Sequence, residues 1–168
     1  ALTIEVWARQ STYHANGVVN KNDNSGYELQ GWSDQQMYFG VADVGSRAVA
    51  PPGSYPLNVW YDLVAVSTGT SLLIYVNGTL RASSSKTVTV PVDTQPVQIG
   101  QSGAGYAFFN GLLDEVRISR TARSATWIST EYNNQNSPST FYTVGAEEAR
   151  PSTIAISNET PQIGRAHV

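Results

Sequence analysis

Thirteen Asp and Glu residues, two His and no Cys hold most of the reactive chemistry of this 168-residue chain. Glycoside hydrolysis needs two carboxylates flanking one bond, one protonating the leaving oxygen and the other activating water or attacking carbon. Within one strand, two acids share a face at i, i+2 spacing, and no pair in the sequence has it. Asp114 and Glu115 are adjacent, as are Glu147 and Glu148, so a strand sends the members of each pair to opposite faces. His14 and His167 are too few for a His-based triad or a multi-His metal cluster. The lack of Cys removes disulfides, thiolate metal sites and cysteine nucleophiles together. No glycine-rich loop follows a strand and opens a helix, as phosphate cradles do. These spacings argue against an enzyme.

One acid stands out. Residues 106–118 read as a turn feeding a strand, and alternation puts Leu112, Asp114, Val116 and Ile118 on one face. Leu113, Glu115 and Arg117 fall on the other. Asp114 is thus expected on the buried face, where a carboxylate must be hydrogen-bonded, paired or metal-bound.

Binding chemistry is better supplied. A sugar site needs flat aromatic surfaces plus amides and carboxylates for hydroxyls. Trp32 and Tyr38, with Gln30, Asp34 and Gln35 around a Gly31-Trp-Ser-Asp turn, form one candidate group. Tyr106, Phe108 and Asn110, after Gly103-Ala-Gly, are expected to face it. Trp7, Trp60 and Trp127 are expected instead to anchor the core or dock a helix.

Many short strands have to position these residues. Residues 2–9 alternate apolar and polar side chains, as a strand with one buried face does. Further strands are expected over 18–21, 26–31, 36–41, 60–67, 71–76, 79–83, 88–90 and 97–99. Residues 42–58, broken by Pro51-Pro52-Gly53, read as loop. Asn77-Gly78 is a strong hairpin signal, because a type I′ turn needs positive φ at both central residues. Ser124 is placed to cap one short helix over about 125–133, and residues 141–146 are expected to close as a strand. This pattern predicts an all-β antiparallel sandwich with one short C-terminal helix.

The segment Asn110-Gly-Leu-Leu-Asp-Glu-Val-Arg-Ile-Ser-Arg-Thr-Ala-Arg-Ser resembles the closing signature of laminin-G-like jelly-roll domains, of the concanavalin A-like lectin/glucanase fold. Leu2-Thr-Ile-Glu-Val-Trp7, Trp60-Tyr-Asp-Leu-Val-Ala65, Leu72-Leu-Ile-Tyr-Val-Asn-Gly78 and Val97-Gln-Ile-Gly100 sit upstream in the matching order. Trp127-Ile-Ser-Thr-Glu-Tyr132 to Gly145-Ala-Glu-Glu148 is similar to the tail of bacterial members. The resemblance covers roughly residues 2–148 and implies a concanavalin A-like jelly roll. It implies a lectin-like or adhesive role, and for many relatives a structural Ca²⁺ held by loop oxygens. Asp114 matches the family's signature acid and is the expected metal ligand, with Asp23, Asn24 and Asp34 as contributors. Hydrolases of this fold carry Glu-x-Asp-x-x-Glu on one strand face, a pattern missing here. Relatives usually carry one or two strands before the Leu2–Trp7 segment, so an unpaired edge is expected.

An apolar fraction of 40% suffices for a core, and 14% charged residues is low against an average of about 25%. The net charge of −3 forms no block, so nucleic acid and anionic membranes are not expected partners. No apolar run is long enough to insert in a bilayer. Residues 1–149 are expected to form the domain and 150–162 a linker to neighbouring domains. Ile163-Gly-Arg-Ala-His-Val168 reads as the translation of ATC-GGA-AGA-GCA-CAC-GTC, which resembles a sequencing adapter and points to an assembly artefact. The expected role is non-catalytic recognition of a polysaccharide or surface protein, in an extracellular or cell-envelope setting. A ligand-free spacer or adhesive repeat is the alternative.

Overall fold

The computed structural model describes residues 1–21, 25–42, 45–103, 107–141 and 145–147. Ten strands make two antiparallel five-stranded sheets. The strands are β1 (Leu2–Gln10), β2 (Asn16–Lys21), β3 (Tyr27–Gly31), β4 (Met37–Val41), β5 (Arg47–Ala50), β6 (Tyr61–Ser67), β7 (Leu72–Val76), β8 (Thr79–Ser84), β9 (Val97–Ile99) and β10 (Gly111–Ser119). The first sheet runs β10-β1-β6-β7-β8 and the second β5-β4-β3-β2-β9. A helix α1 (Ala125–Asn136) and a helical turn α2 (Pro138–Phe141) follow. The described residues contain no helix long and apolar enough to cross a membrane.

Alternation builds the core as expected. Ile4, Val6 and Ala8 of β1, Leu63 and Ala65 of β6, and Leu72, Ile74 and Val76 of β7 turn inward from the first sheet. Val19, Leu29, Phe39 and Ala48, in register across β2 to β5, meet them from the second. Asn77 and Gly78 both take positive φ, 51° and 70°, and join β7 to β8 as the type I′ signal predicted. Ser124 accepts from the Trp127 N–H and caps α1.

Three sequence expectations fail. Residues 47–50, read as loop, are β5, because Ala48 and Ala50 complete the inner face beside β4. Residues 88–90 form no strand; Val88 and Val90 pack against the core from an irregular segment. Residues 138–141 are helical, with Pro138 at the first helical position where its missing N–H costs nothing, so the strand expected over 141–146 does not start at 141, and residues 142–144 lie outside the described residues. Asp23, Asn24, Tyr106, the 150–162 linker and the 163–168 segment lie outside the described residues.

The expected face of Asp114 is also overturned. Trp7 pairs with Asp114 but Glu5 pairs with Arg117, so β10 spends one residue more than β1 there. Glu115 absorbs it with φ of 51°, as a bulge does. Strict alternation therefore breaks: Leu113 and Val116 pack on the core, while Leu112 and Asp114 face outward and are exposed.

Among the described residues, each sheet has an edge strand on the same flank. β5 lies against β7 and β8, so β9 and β10 are the strands left at the opposite side. Their inward-facing Val97, Ile99 and Ile118 are 42%, 54% and 40% exposed.

Gly17 marks the tightest join. A Cβ there would stand 2.2 Å from the carbonyl carbon of Gln101 and 2.5 Å from Ser102 N. Backbone cannot yield as a side chain does, so Gly17→Ala should cost about 1–3 kcal/mol. Urea unfolding checks this, with a control at Gly145, whose added Cβ would meet nothing within 4 Å.

Candidate functional site

The turn from β3 to β4 carries the predicted aromatic group. Trp32 N donates to Gln36 O at 3.1 Å and Gln35 N to Trp32 O at 3.1 Å, closing a turn in which Gln35 has φ of 66°. Asp34 holds this turn from within: its Oδ1 accepts from Gln36 N at 3.0 Å, and its Oδ2 lies 2.8 Å from the Tyr38 hydroxyl. Trp32 and Tyr38 meet edge to face, centroids 6.0 Å apart, and Trp32 is 41% exposed. The Arg47 guanidinium sits 5.9 Å over the Tyr38 ring. Burial, then the Asp34 carboxylate, push the Tyr38 hydroxyl above its usual pKa. Asp34 is therefore a positioning residue for the aromatic pair, with both oxygens already engaged.

Phe108 and Asn110 stand at the same end of the sandwich, with no described contact to that turn. His14 Nε2 donates to Phe108 O at 2.9 Å and Ser11 N to Asn110 O at 2.8 Å, while Asn110 Nδ2 reaches Thr12 Oγ1 at 3.4 Å. Phe108 is 59% exposed. A buried tyrosine layer supports both loops. Tyr55 packs on Tyr13 and Tyr61 at 5.6 and 5.4 Å, and the Tyr55 hydroxyl donates to Gln36 O at 3.4 Å. Burial raises the pKa of the Tyr55 and Tyr61 hydroxyls, so both stay protonated donors.

Asp114 sits elsewhere, on the outer face of the first sheet. Its Oδ1 accepts the Glu115 N–H at 2.8 Å, stabilising the bulge. The described residues hold no group of three or more His, Cys, Asp or Glu suited to a metal, and the nearby Glu115 is paired with Arg117 at 2.6 Å. Asp114 thus offers calcium one carboxylate, and further oxygens would have to come from backbone or from outside the described residues.

A carboxylate pair missed by the sequence reading lies on that same outer face, beneath α1. Trp7 is opposite Asp62, and Glu5 is opposite Val64, so Glu5 and Asp62 are diagonal neighbours across β1 and β6. Each is 7% exposed. With Glu131 they line a cavity of about 10 Å³, room for a single water. That leaves no space for a glycosidic bond. The only sequence signal was an acid at an outward position of each of two strongly apolar strands. Burial, reinforced by Glu5 and Glu131, pushes Asp62 up to about 7, with the Gly78 N–H and Arg117 opposing. Burial also raises Glu5, against Arg117 and Arg123. Glu131 shifts the other way, lowered by its hydrogen bond from Arg117.

The pH dependence follows from these directions. A carboxyl with a raised pKa holds its proton more tightly when folded, so its contribution is full below the unfolded value and is lost as pH rises through the folded one. Asp62 and Glu5 should therefore make the domain less stable as pH climbs from about 5 to about 8. Glu131 acts oppositely, losing its contribution only below its ordinary range. Asp62→Asn should flatten the fall and raise stability at about pH 8 by of the order of 2 kcal/mol, read by thermal unfolding across pH.

Comparison with known proteins comes down to fold. The model of the concanavalin A-like lectin/glucanases superfamily matches residues 1–129. A search of the curated proteins finds no match. Among solved structures, the binding domain of Paraclostridial Mosquitocidal Protein 1 superposes with a TM-score of 0.63 at 16% identity, covering 81% of this chain and 37% of that one. The receptor-binding domain of botulinum neurotoxin type G gives 0.59 at 15%, covering 80% and 38%. A heptameric SAP-like pentraxin from Limulus polyphemus gives 0.61 at 18%, covering 78% and 69%. The chain spans little more than a third of each of the two toxin domains. With its family match over residues 1–129 and its two antiparallel sheets, this chain belongs to the concanavalin A-like lectin/glucanases superfamily.

Proposed function

We propose that this chain is a non-catalytic recognition module, extracellular or in the cell envelope, that binds carbohydrate or a surface molecule through the end of the sandwich bearing Trp32. The observation that carries the reading is the Trp32–Tyr38 pair. It is an exposed indole braced edge to face by a tyrosine, on a turn held by Asp34 and backed by buried tyrosines. Such a surface presents an aromatic face with little conformational entropy left to lose on binding. Gln35 and the Phe108–Asn110 loop supply amide and ring contacts at the same end. Two structural neighbours, a toxin's receptor-binding domain and another toxin's binding domain, support a recognition role. Enclosure of the Glu5–Asp62 pair under α1 weighs against hydrolysis.

Trp32→Ala should weaken retention on the recognised polysaccharide by about 1–2 kcal/mol and leave the melting midpoint unchanged, because the ring is largely outside the core. Affinity electrophoresis against a panel of soluble polysaccharides reads the first and calorimetry the second. Equal retention by the variant would reject this site.

The proposal includes a calcium ion bound through Asp114, resting on the family resemblance. A midpoint that rises with calcium, falls with EDTA and loses both responses in Asp114→Ala supports it, and a flat response removes it. Because Asp114 is exposed, Asp114→Ala should itself cost only about 1 kcal/mol, the loss of one hydrogen bond.

A further inference from the structure

Trp60, expected in the core, is 39% exposed. It stands on the outer face of the first sheet, where Asp114, Trp7 and Asp62 lie side by side across β10, β1 and β6. A cleft of about 510 Å³ opens there between the sheet and the last turn of α1. Trp7, Trp60 and Asp114 form its sheet wall, and Asn134, Gln135 and Asn136 its helix wall. The volume falls within the usual range for small-ligand sites.

The walls are preset. The Trp7 indole N–H donates to Gln135 Oε1, and its ring stacks on Tyr132 at 6.0 Å and 20°. Gln135 in turn donates to Glu131 Oε1 at 2.6 Å. Trp7 cannot swing, so it forms a fixed flank beside the more exposed Trp60. Asp114 spends one oxygen on its own bulge. Its other oxygen has no partner among the described residues and is left to accept from a ligand.

We propose that this cleft binds a neutral pyranose unit of a polysaccharide. A sugar ring presents an apolar C–H face and a rim of hydroxyls; indole rings suit the first, and a free carboxylate oxygen with the Asn134 and Asn136 amides suit the second. Charge selects the neutral class. Arg117, the cation among the described residues lining the cleft, is already shared between Glu115 and Glu131, at 2.6 and 2.5 Å, and the neighbouring Arg9 donates to Asn58 O at 3.1 Å, so neither is directed at a sulfate or uronate. Asp114 adds a repelling charge against either. The site lies on the first sheet, whereas Trp32 and Tyr38 rise from the second; it shares Asp114 with the calcium proposed above, so the titration is run in EDTA, where Asp114 is free of metal.

The test is calorimetric titration of the full chain with neutral hexasaccharides (β-1,4-glucan, β-1,4-mannan, β-1,4-xylan and β-1,3-glucan) and with an oligogalacturonate as the anionic arm. At least one neutral ligand should bind; Trp60→Ala should weaken it by about tenfold or more, and Asp114→Asn should weaken it less. Trp32→Ala separates the turn site, since binding that it removes belongs there, and Trp60→Ala and Asp114→Asn should keep the parent's melting midpoint. The inference is overturned if no neutral hexasaccharide binds, if oligogalacturonate binds in preference, or if Trp60→Ala binds as tightly as the parent. Binding lost only in Trp32→Ala would also overturn it, while leaving the turn site intact.

Discussion

The middle strand of the first sheet, β6, is kept dry on both faces, and most of the molecule's arrangement follows from that. Every residue of β6 is buried: Leu63 and Ala65 against the second sheet, Val64 and Val66 against α1. A strand covered twice loses the freedom to carry polar side chains on alternate positions. The helix supplying the second cover inserts a single fully buried residue, Ile128. Polar ties do the rest. Thr3 donates to Thr121 O and accepts from Arg123 N, fastening the chain that enters α1, while Arg117 bonds Glu131 on the helix itself. Gly78 matters here for space: a Cβ would crowd Ser129 Cα at 3.2 Å.

The same cover encloses Glu5 and Asp62, which no core packing requires. Their neutral forms are favoured because water has been displaced and the Arg117 charge is divided among acids. The cleft beside them escapes cover because α1 ends at Asn136, leaving Trp60 and Asp114 in the open. One short helix thus decides which acids are buried and which can meet a ligand. At the other candidate site the rigid part is the tyrosine layer, and the turn above it gains order through Asp34.

Much of this was legible in the sequence, because periodicity reports burial directly. The two-sheet sandwich, the Asn77-Gly78 hairpin, the Ser124 cap and the exposed Trp32 turn all rest on local patterns of a few residues. What was not legible depended on partners distant in sequence. The bulge at Glu115 shows only against β1, so alternation alone put Asp114 on the wrong face. β5 is two inward alanines whose role exists only beside β4. Glu5 and Asp62 are 57 positions apart and meet through strand register, which i, i+2 spacing within one strand does not reveal. Trp60 was expected inside because a tryptophan next to an apolar strand normally is; the early end of the helix leaves it half bare.

The open flank sets how this protein behaves in company. Among the described residues β9 and β10 are edge strands on the same side, with Val97, Ile99 and Ile118 exposed beside them. Strand edges of this kind are templates for intermolecular pairing, and the usual protections are charge, proline or a covering loop. β9, Val-Gln-Ile, carries no charge, and Pro96 stands just before it rather than within it. That strip is where pairing between molecules is expected to start. A lysine at position 99 would act there as a gatekeeper, without touching either aromatic surface.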